Sequence, residues 1–406
     1  MSMAGLPWEE VESPDPIGHT VAIAPEDSEL VPPLMPIIVI GSTIALYHPQ
    51  SRRSKEVRSV RLMGVEVPIS GYTYTASGKR VGDMPIRMDE DKIYVCFDLF
   101  RETSKILRDP TGSNAHVLVV YSLLLRRLVG HLSLRSGVPY VHVMRWPFGV
   151  SRAVSLGFEV RSPSLKKMCK CKTRGTAFMT PEVLDEIRER DARLLTSSGK
   201  SVGVLLDSPP RGNLARIHDK ATFFNRGKPA GFFLGSYHLR DLVSEVNTPY
   251  VSSVRLQKSF LGSPDPYPVS RSTFLEVYTA LRTENPSDVA SVLERVKGSE
   301  SLLTAVLRRT ADLNLQGVWI SSYDELVDWI TRRRNLKVNY MYERGTILLE
   351  LGSPLDVVGL SMMLRVPWGE VYARSDEVSI RRISKDGYLL TLNVVRGRKV
   401  LELDVV

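Results

Sequence analysis

Residues 143–206 constrain the fold of this 406-residue chain more than any other stretch. They run from Trp146-Pro147 through the apolar Ala153-Val154-Ser155-Leu156-Gly157-Phe158 into Glu159-Val160-Arg161-Ser162-Pro163. Gly175-Thr176-Ala177-Phe178-Met179 follows, and then Gly199-Lys200-Ser201-Val202-Gly203-Val204-Leu205-Leu206-Asp207. The pattern predicts strand, loop, strand, helix, strand, with polar residues at the C-terminal strand ends, where α/β barrels place their chemistry. Residues 146–320 continue to alternate short apolar strands with helical segments, which predicts a parallel sheet. A helix is expected over 181–195, with Thr180 as N-cap, Pro181 in the first turn and Glu182 and Asp185 near the positive end of the dipole. Further helices are expected over 287–296 and 301–309. Ser322-Tyr323-Asp324-Glu325 has capping-box spacing, and it opens a helix with Leu326, Trp329 and Ile330 on one face.

The flanks differ from this core. Residues 1–33 hold six prolines and seven acids and read as a loosely ordered arm. Residues 34–145 predict an α+β domain: a strand at 37–41, a basic loop at 52–58, an alternating strand at 60–67, a turn-rich 70–82, a buried strand at 93–97, a helix opening at Asp98, and a long helix over 116–136 closed by Gly137. After 335 the period falls to two. Six strands are expected, at 338–342, 346–351, 358–366, 377–383, 388–394 and 399–405, with turns at Arg344-Gly345, Asp386-Gly387 and Arg396-Gly397. The expected layout is an arm (1–33), an α+β domain (34–145), a (β/α) barrel (146–335) and an antiparallel β-sandwich (336–406).

Charge and cysteine usage narrow the function classes. The net charge is +9, yet seven acids precede Arg52, the first basic residue, so the remainder is more basic than the total implies. Such a body attracts anionic polymers or an acidic protein partner. The acidic, Pro-rich start does not fit a signal peptide. The apolar run 34–47 is short and holds Pro36, and 116–132 carries Arg126 and Arg127, so no membrane span and a cytoplasmic location are expected. Cys96, Cys169 and Cys171 form no disulfide framework. A metal role for Cys169-Lys170-Cys171 fails on ligand count, since structural zinc takes four ligands. Glutamine occurs only at 50, 257 and 316, a depletion that points towards a thermophile.

Several of these segments, in order, resemble the polysaccharide deacetylase family. Trp146-Pro147 and the strand ending Glu159-Val160-Arg161-Ser162-Pro163 are similar to its first motif, an apolar strand ending Asp-x-Asp or Asp-Asp. Gly175-Thr176-Ala177-Phe178 is similar to its next strand, and Gly199-Lys200-Ser201-Val202-Gly203-Val204 to the strand that carries its histidine pair. Residues 231–240, ending Tyr237-His238-Leu239-Arg240, resemble its arginine-bearing strand. Tyr250-Val251-Ser252-Ser253 resembles its Tyr-Asp-Ser-Ser element, and Phe274-Leu275-Glu276-Val277 the strand after it. The resemblance covers about two thirds of the chain and implies a deacetylase-like (β/α) barrel.

The same resemblance implies a divalent metal held by one Asp and two His, an Asp as base and a late His as acid. This sequence departs at each point. Glu159 stands where the base would be, Arg161 where the metal-binding Asp would be, and Asp207 where the histidine pair would begin. No His lies between His142 and His218 or after His238. A guanidinium at the metal position repels a divalent cation. The expectation is a catalytically degenerate, deacetylase-like protein that binds carbohydrate or another polar ligand, or acts as a scaffold, without a cofactor. Arg161, Tyr237, Arg240 and Glu276 are its candidate ligand contacts. Arg161 either replaces the metal as positive centre by pairing with Asp207 and Glu159, or forms an ordinary exposed pair with Glu159. One alternative is an active deacetylase rebuilt around Glu159, Asp207 and His238, which would retain a divalent metal. Another is a basic protein that binds nucleic acid or an acidic partner through 166–174, Arg332 to Arg334, Arg381-Arg382 and 396–399.

Overall fold

A computed structural model of the chain describes residues 6, 21–25, 35–40, 52–77, 86–88, 92–95, 97–108, 114–254, 263–268, 274–296 and 300–406. Most of the acidic arm, Cys96, His19 and His48 lie outside them. Those residues group into two units, one of 1–106, 120–149 and 334–406, the other of 107–119 and 150–333.

The second unit is a curled, mainly parallel sheet with helices between its strands. In spatial order its parallel strands are Arg152–Val160, Gly175–Met179, Lys200–Leu206, Phe232–Leu234, Tyr250–Val254 and Leu275–Thr279. On the other side of Arg152–Val160 lie Ser301–Leu307 and then Leu281–Thr283, also parallel. Only Ala280 separates Leu275–Thr279 from Leu281–Thr283, so a single stretch of chain supplies both ends of the parallel run, with the two-residue Tyr267–Pro268 pairing antiparallel outside Leu275–Thr279. Val318–Ser322 pairs with the first half of Arg152–Val160. The chain is thus a mixed α/β protein with a curled sheet.

Strand alternation sorts the residues of this sheet. Val154, Leu156, Phe158, Val160, Val202, Val204 and Leu206 join the apolar layer shared with the helices. The alternate residues face inwards. There Phe178 packs against Phe233 and edge-on to Tyr323, with ring centroids 5.4 and 5.3 Å apart. Tyr250 lies 6.0 Å from Tyr323. Gly231 leaves room for Tyr250, since a Cβ there would overlap its ring. Gly231→Ala is expected to destabilise this unit by about 1–3 kcal/mol, the usual range for overpacking, read as an earlier unfolding midpoint in urea.

Several expectations about this region need correction. Residues 301–309 were expected as a helix, but Ser301–Leu307 is a strand buried at every position. A short, wholly buried apolar run carries no period to separate the two. The 181–195 helix divides into Pro181–Glu186 and Glu189–Ser197, because Ile187 and Arg188 take extended backbone. Thr180 does cap the first, accepting from Val183 N at 3.4 Å. The capping box closes in both directions, Glu325 N to Ser322 Oγ at 3.1 Å and Ser322 N to Glu325 Oε2 at 2.9 Å, and starts the helix Tyr323–Arg334.

In the first unit, Ala22–Pro25 pairs parallel with Ile37–Ile40, so this part of the expected arm is a strand. Residues 52–58 and 70–77 belong to a long hairpin, Arg52–Leu62 with Val65–Ser77, rather than to loops. Expected as separate domains, residues 34–145 and 336–406 share a sheet, because Tyr140–Val143 pairs antiparallel with Val357–Arg365. The six expected C-terminal strands are present, with Val371–Ala373 as a seventh. Burial in Thr346–Ser353 alternates along its length, and the turn before it holds Arg344 and Gly345 at φ 50° and 84°, as a tight hairpin turn requires. Among the described residues one helix, Val117–Arg135, is long and apolar enough to cross a membrane, and 67% of its apolar window is buried within the fold.

Candidate functional site at the C-terminal rim of the curled sheet

The inward face of Arg152–Val160 ends in Glu159, whose side chain is 1% exposed. Arg161, two residues on and therefore on the same face, donates to Glu159 Oε2 from Nη2 at 3.0 Å and Nε at 3.2 Å. Its Nη2 also lies 2.5 Å from Asp207 Oδ2, just past the end of Lys200–Leu206. Arg282 completes the arrangement. Its Nε donates to Glu159 Oε1 at 2.5 Å, and its Nη2 lies 3.6 Å from Asp207 Oδ1. Arg308, after the end of Ser301–Leu307, stands 4.0 Å from Glu159 Oε1. Four strand ends thus bring two carboxylates and three guanidiniums together.

Enclosure gives these pairs weight. Glu159 has lost nearly all its water, so removing a partner would strand a buried charge. Arg282 is 18% exposed, and its guanidinium lies 5.5 Å from the centre of the Phe233 ring. Its hydrogen bond to Glu159, ahead of any other influence, raises it above the ordinary arginine range. Burial opposes the Arg161 cation, but its hydrogen bonds to Asp207 and Glu159 outweigh that and raise it as well. Both remain fixed positive charges at any pH at which the protein is folded.

The remaining candidates lie apart from this network. His238 is exposed in the short 3-10 turn Tyr237–Leu239 and, among the described residues, joins none of these pairs. Tyr237 lies in the same turn, and its side chain is outside the described residues. Arg240 begins the short helix Arg240–Val243, and its Nε is 3.4 Å from Glu276 Oε2, a second, mostly buried pair. Arg282 and Arg308 were not foreseen in the sequence. Their signal is the one that marked Arg161, a basic residue at the C-terminal end of an apolar strand.

A metal of the kind the deacetylase resemblance implies does not fit these residues. Among the described residues no three His, Cys, Asp or Glu are grouped to hold an ion, and the two rim carboxylates are already taken by guanidiniums. Cys171 is buried and donates to Ala311 O at 3.3 Å, while Lys200 Nζ donates to Cys171 O at 2.6 Å. Much of the supposed basic face is paired: Arg174 with Glu325, Arg332 with Asp328, Arg382 with Glu370, Arg398 with Glu350 and Lys399 with Glu377. Arg333 is buried against Asp265 at 2.8 Å.

A cleft of about 650 Å³ opens beside the network, lined by Glu159, Arg161, Lys167, Glu284 and Arg308, with the hydroxyls of Ser162, Ser164 and Thr310. Chemically, the rim offers fixed positive charge and hydroxyl donors and acceptors, with both acids masked.

No protein-family model matches the chain, and no curated protein matches it in sequence. Among solved structures it is similar to a GH30 endoxylanase from Clostridium papyrosolvens over 64% of this chain and 98% of that one, at 6% identity and a TM-score of 0.26. It is also similar to an alpha-L-fucosynthase from Thermotoga maritima over 61% of this chain and 77% of that one, at 12% identity and a TM-score of 0.15. Likenesses this slight do not bear on its chemistry.

Proposed function

We propose that the curled sheet is a degenerate deacetylase-like (β/α) barrel whose rim binds a carbohydrate or similar polar ligand without hydrolysing it. One observation carries the reading. Arg161 stands at the position that the deacetylase resemblance gives to a metal-binding aspartate, 2.5 Å from Asp207 and 3.0 Å from Glu159. Hydrolysis of an acyl group needs a base to activate water and a positive centre that accepts the developing oxyanion. Glu159 is held by two guanidiniums and is 1% exposed, so it is poorly placed to take a proton from water. The rebuilt-hydrolase alternative also needs His238, which lies outside the network. The nucleic-acid alternative is weakened by the pairing of its arginine clusters.

The test is metal analysis of the purified protein beside an acetate-release assay on N- and O-acetylated oligosaccharides. The expected result is no stoichiometric divalent metal and no acetate. Stoichiometric metal, with turnover lost in Glu159→Gln or Asp207→Asn, would overturn the reading.

A further inference from the structure

The charges around the cleft do not cancel, and the excess has a location. Its two acids are both occupied. Glu159 receives Arg161 on Oε2 and Arg282 on Oε1, while Glu284 is shared between Arg308 Nη1 at 3.4 Å and Arg309 Nη2 at 3.6 Å. The cations keep donors in reserve. Arg161 spends Nε and Nη2 on Glu159 and Asp207, and Arg308 directs Nη1 at Glu284 and Nε towards Glu159. Among the described residues no protein group accepts a hydrogen bond from Arg161 Nη1, Arg308 Nη2 or Lys167 Nζ. Arg161 and Arg308 each keep half of their side-chain surface open to solvent, and Lys167 is exposed. All three line one cleft of about 650 Å³, within the ordinary size range of small-molecule sites.

From this arrangement we infer that the cleft takes a small, hydroxyl-rich molecule bearing an oxyanion, carboxylate or phosphate, with the anion held by Arg161, Lys167 and Arg308 and the hydroxyls met by Ser162, Ser164 and Thr310. Guanidinium and ammonium donors to an oxyanion make short, charge-assisted hydrogen bonds, stronger than those to a neutral hydroxyl. Arg161 and Arg308 are already oriented by Glu159 and Glu284, so little freedom is lost on binding. A neutral sugar would leave the remaining donors of Arg161 and Arg308, and the Lys167 ammonium, without a charged acceptor in the cleft. The inference rests on the reading of the rim as a binding site and adds the ligand's charge.

The experiment is titration calorimetry of the full chain at low salt with glucuronate and with inorganic phosphate, using glucose as the neutral control. Saturable binding of at least one anion is expected, with glucose at least about tenfold weaker. Lys167→Gln and Arg308→Gln are each expected to weaken the anion by about tenfold, and added salt should weaken it further. Lys167 is exposed and unpaired among the described residues, so its variant folds as the parent does. Glucuronate without phosphate would assign a carboxylate, and phosphate without glucuronate a phosphoryl group. Glucose binding as tightly as either anion, no binding of either anion, or full affinity in both variants would overturn the inference. Failure of the underlying reading looks different, as bound metal and released acetate.

Discussion

Glu159→Ala is expected to cost the curled-sheet unit about 3–5 kcal/mol, the range for removing one partner of a buried ion pair, and to lower its melting temperature by roughly 10 °C. The lost contacts are the smaller part of this. Arg282 is 18% exposed, so deleting the carboxylate leaves its guanidinium without its main partner and with little water around it, facing the half-exposed Arg161. Asp207, more exposed and 3.6 Å from Arg282, compensates only in part. The control is Glu159→Leu with Arg282→Met, which removes both buried charges and refills the space. It is expected to recover most of the loss, since apolar replacements of buried pairs are often neutral. Thermal and urea unfolding of the parent, Glu159→Leu, Arg282→Met and the double variant measure the coupling directly. A Glu159→Ala protein within about 0.5 kcal/mol of the parent would reduce the network to a surface pair.

That network also shows what the sequence discloses and what it withholds. Glu159 and Arg161 are legible together because two residues apart on a strand means one face, and an apolar run before them marks the strand. Asp207 is legible by the same rule, at the end of Lys200–Leu206. Arg282 and Arg308 carry equally polar strand ends. However, Ser301–Leu307 is buried at every position and imitates a helix segment, and Leu281–Thr283 is a three-residue continuation beyond Ala280. Nothing local states that their ends meet Glu159, because that meeting depends on the sheet curling round. Signals completed within a few residues were dependable. The Ser322–Glu325 capping box and the Thr180 cap form as their spacing implies, since both partners lie within one helical turn.

The separation of residues 34–145 from 336–406 failed for the same physical reason. Residues 34–145 and 336–406 each show a plausible period of their own, and composition does not record that Tyr140–Val143 pairs with Val357–Arg365 more than 200 residues later. The expectation about a metal rests on residue chemistry rather than position. A guanidinium cannot ligate a cation in any fold, so Arg161 excludes a metal-binding role for itself from sequence alone. Its pairing with Asp207 and Glu159 was one of the two alternatives the sequence offered, whereas Arg282 and Arg308 as further members of the network were not.

At the opposite end of the curl, Asp324 sets up a pH effect of predictable sign. The capping box places it in the first turn of Tyr323–Arg334, with its Oδ2 accepting from Tyr250 Oη and Thr176 Oγ1, both at 3.2 Å, and from Ser201 Oγ. Although the residue as a whole is half-buried, its carboxyl is enclosed. Burial therefore raises its pKa, and the hydrogen bonds from Ser201, Tyr250 and Thr176 only partly offset this. A carboxyl raised by folding favours the protonated native state. Its contribution is fully present below the unfolded value of about 3.9 and is lost as pH rises through the higher folded value. Asp324→Asn keeps the shape and an acceptor oxygen without a titrating proton, so its melting temperature relative to the parent should improve between about pH 4 and pH 8. Asp324→Ala should lose at both pH values. It strips the acceptor from the buried Tyr250 hydroxyl, at about 1–3 kcal/mol for a group left unsatisfied, while Thr176 and Ser201 keep each other at 2.8 Å. If Asp324→Asn tracks the parent at every pH, the carboxylate is solvated rather than enclosed. The helix Tyr323–Arg334 would then owe its placement to Tyr323, which packs against Phe178 and bonds Thr279 Oγ1 at 2.7 Å, and not to the polar cluster beside it.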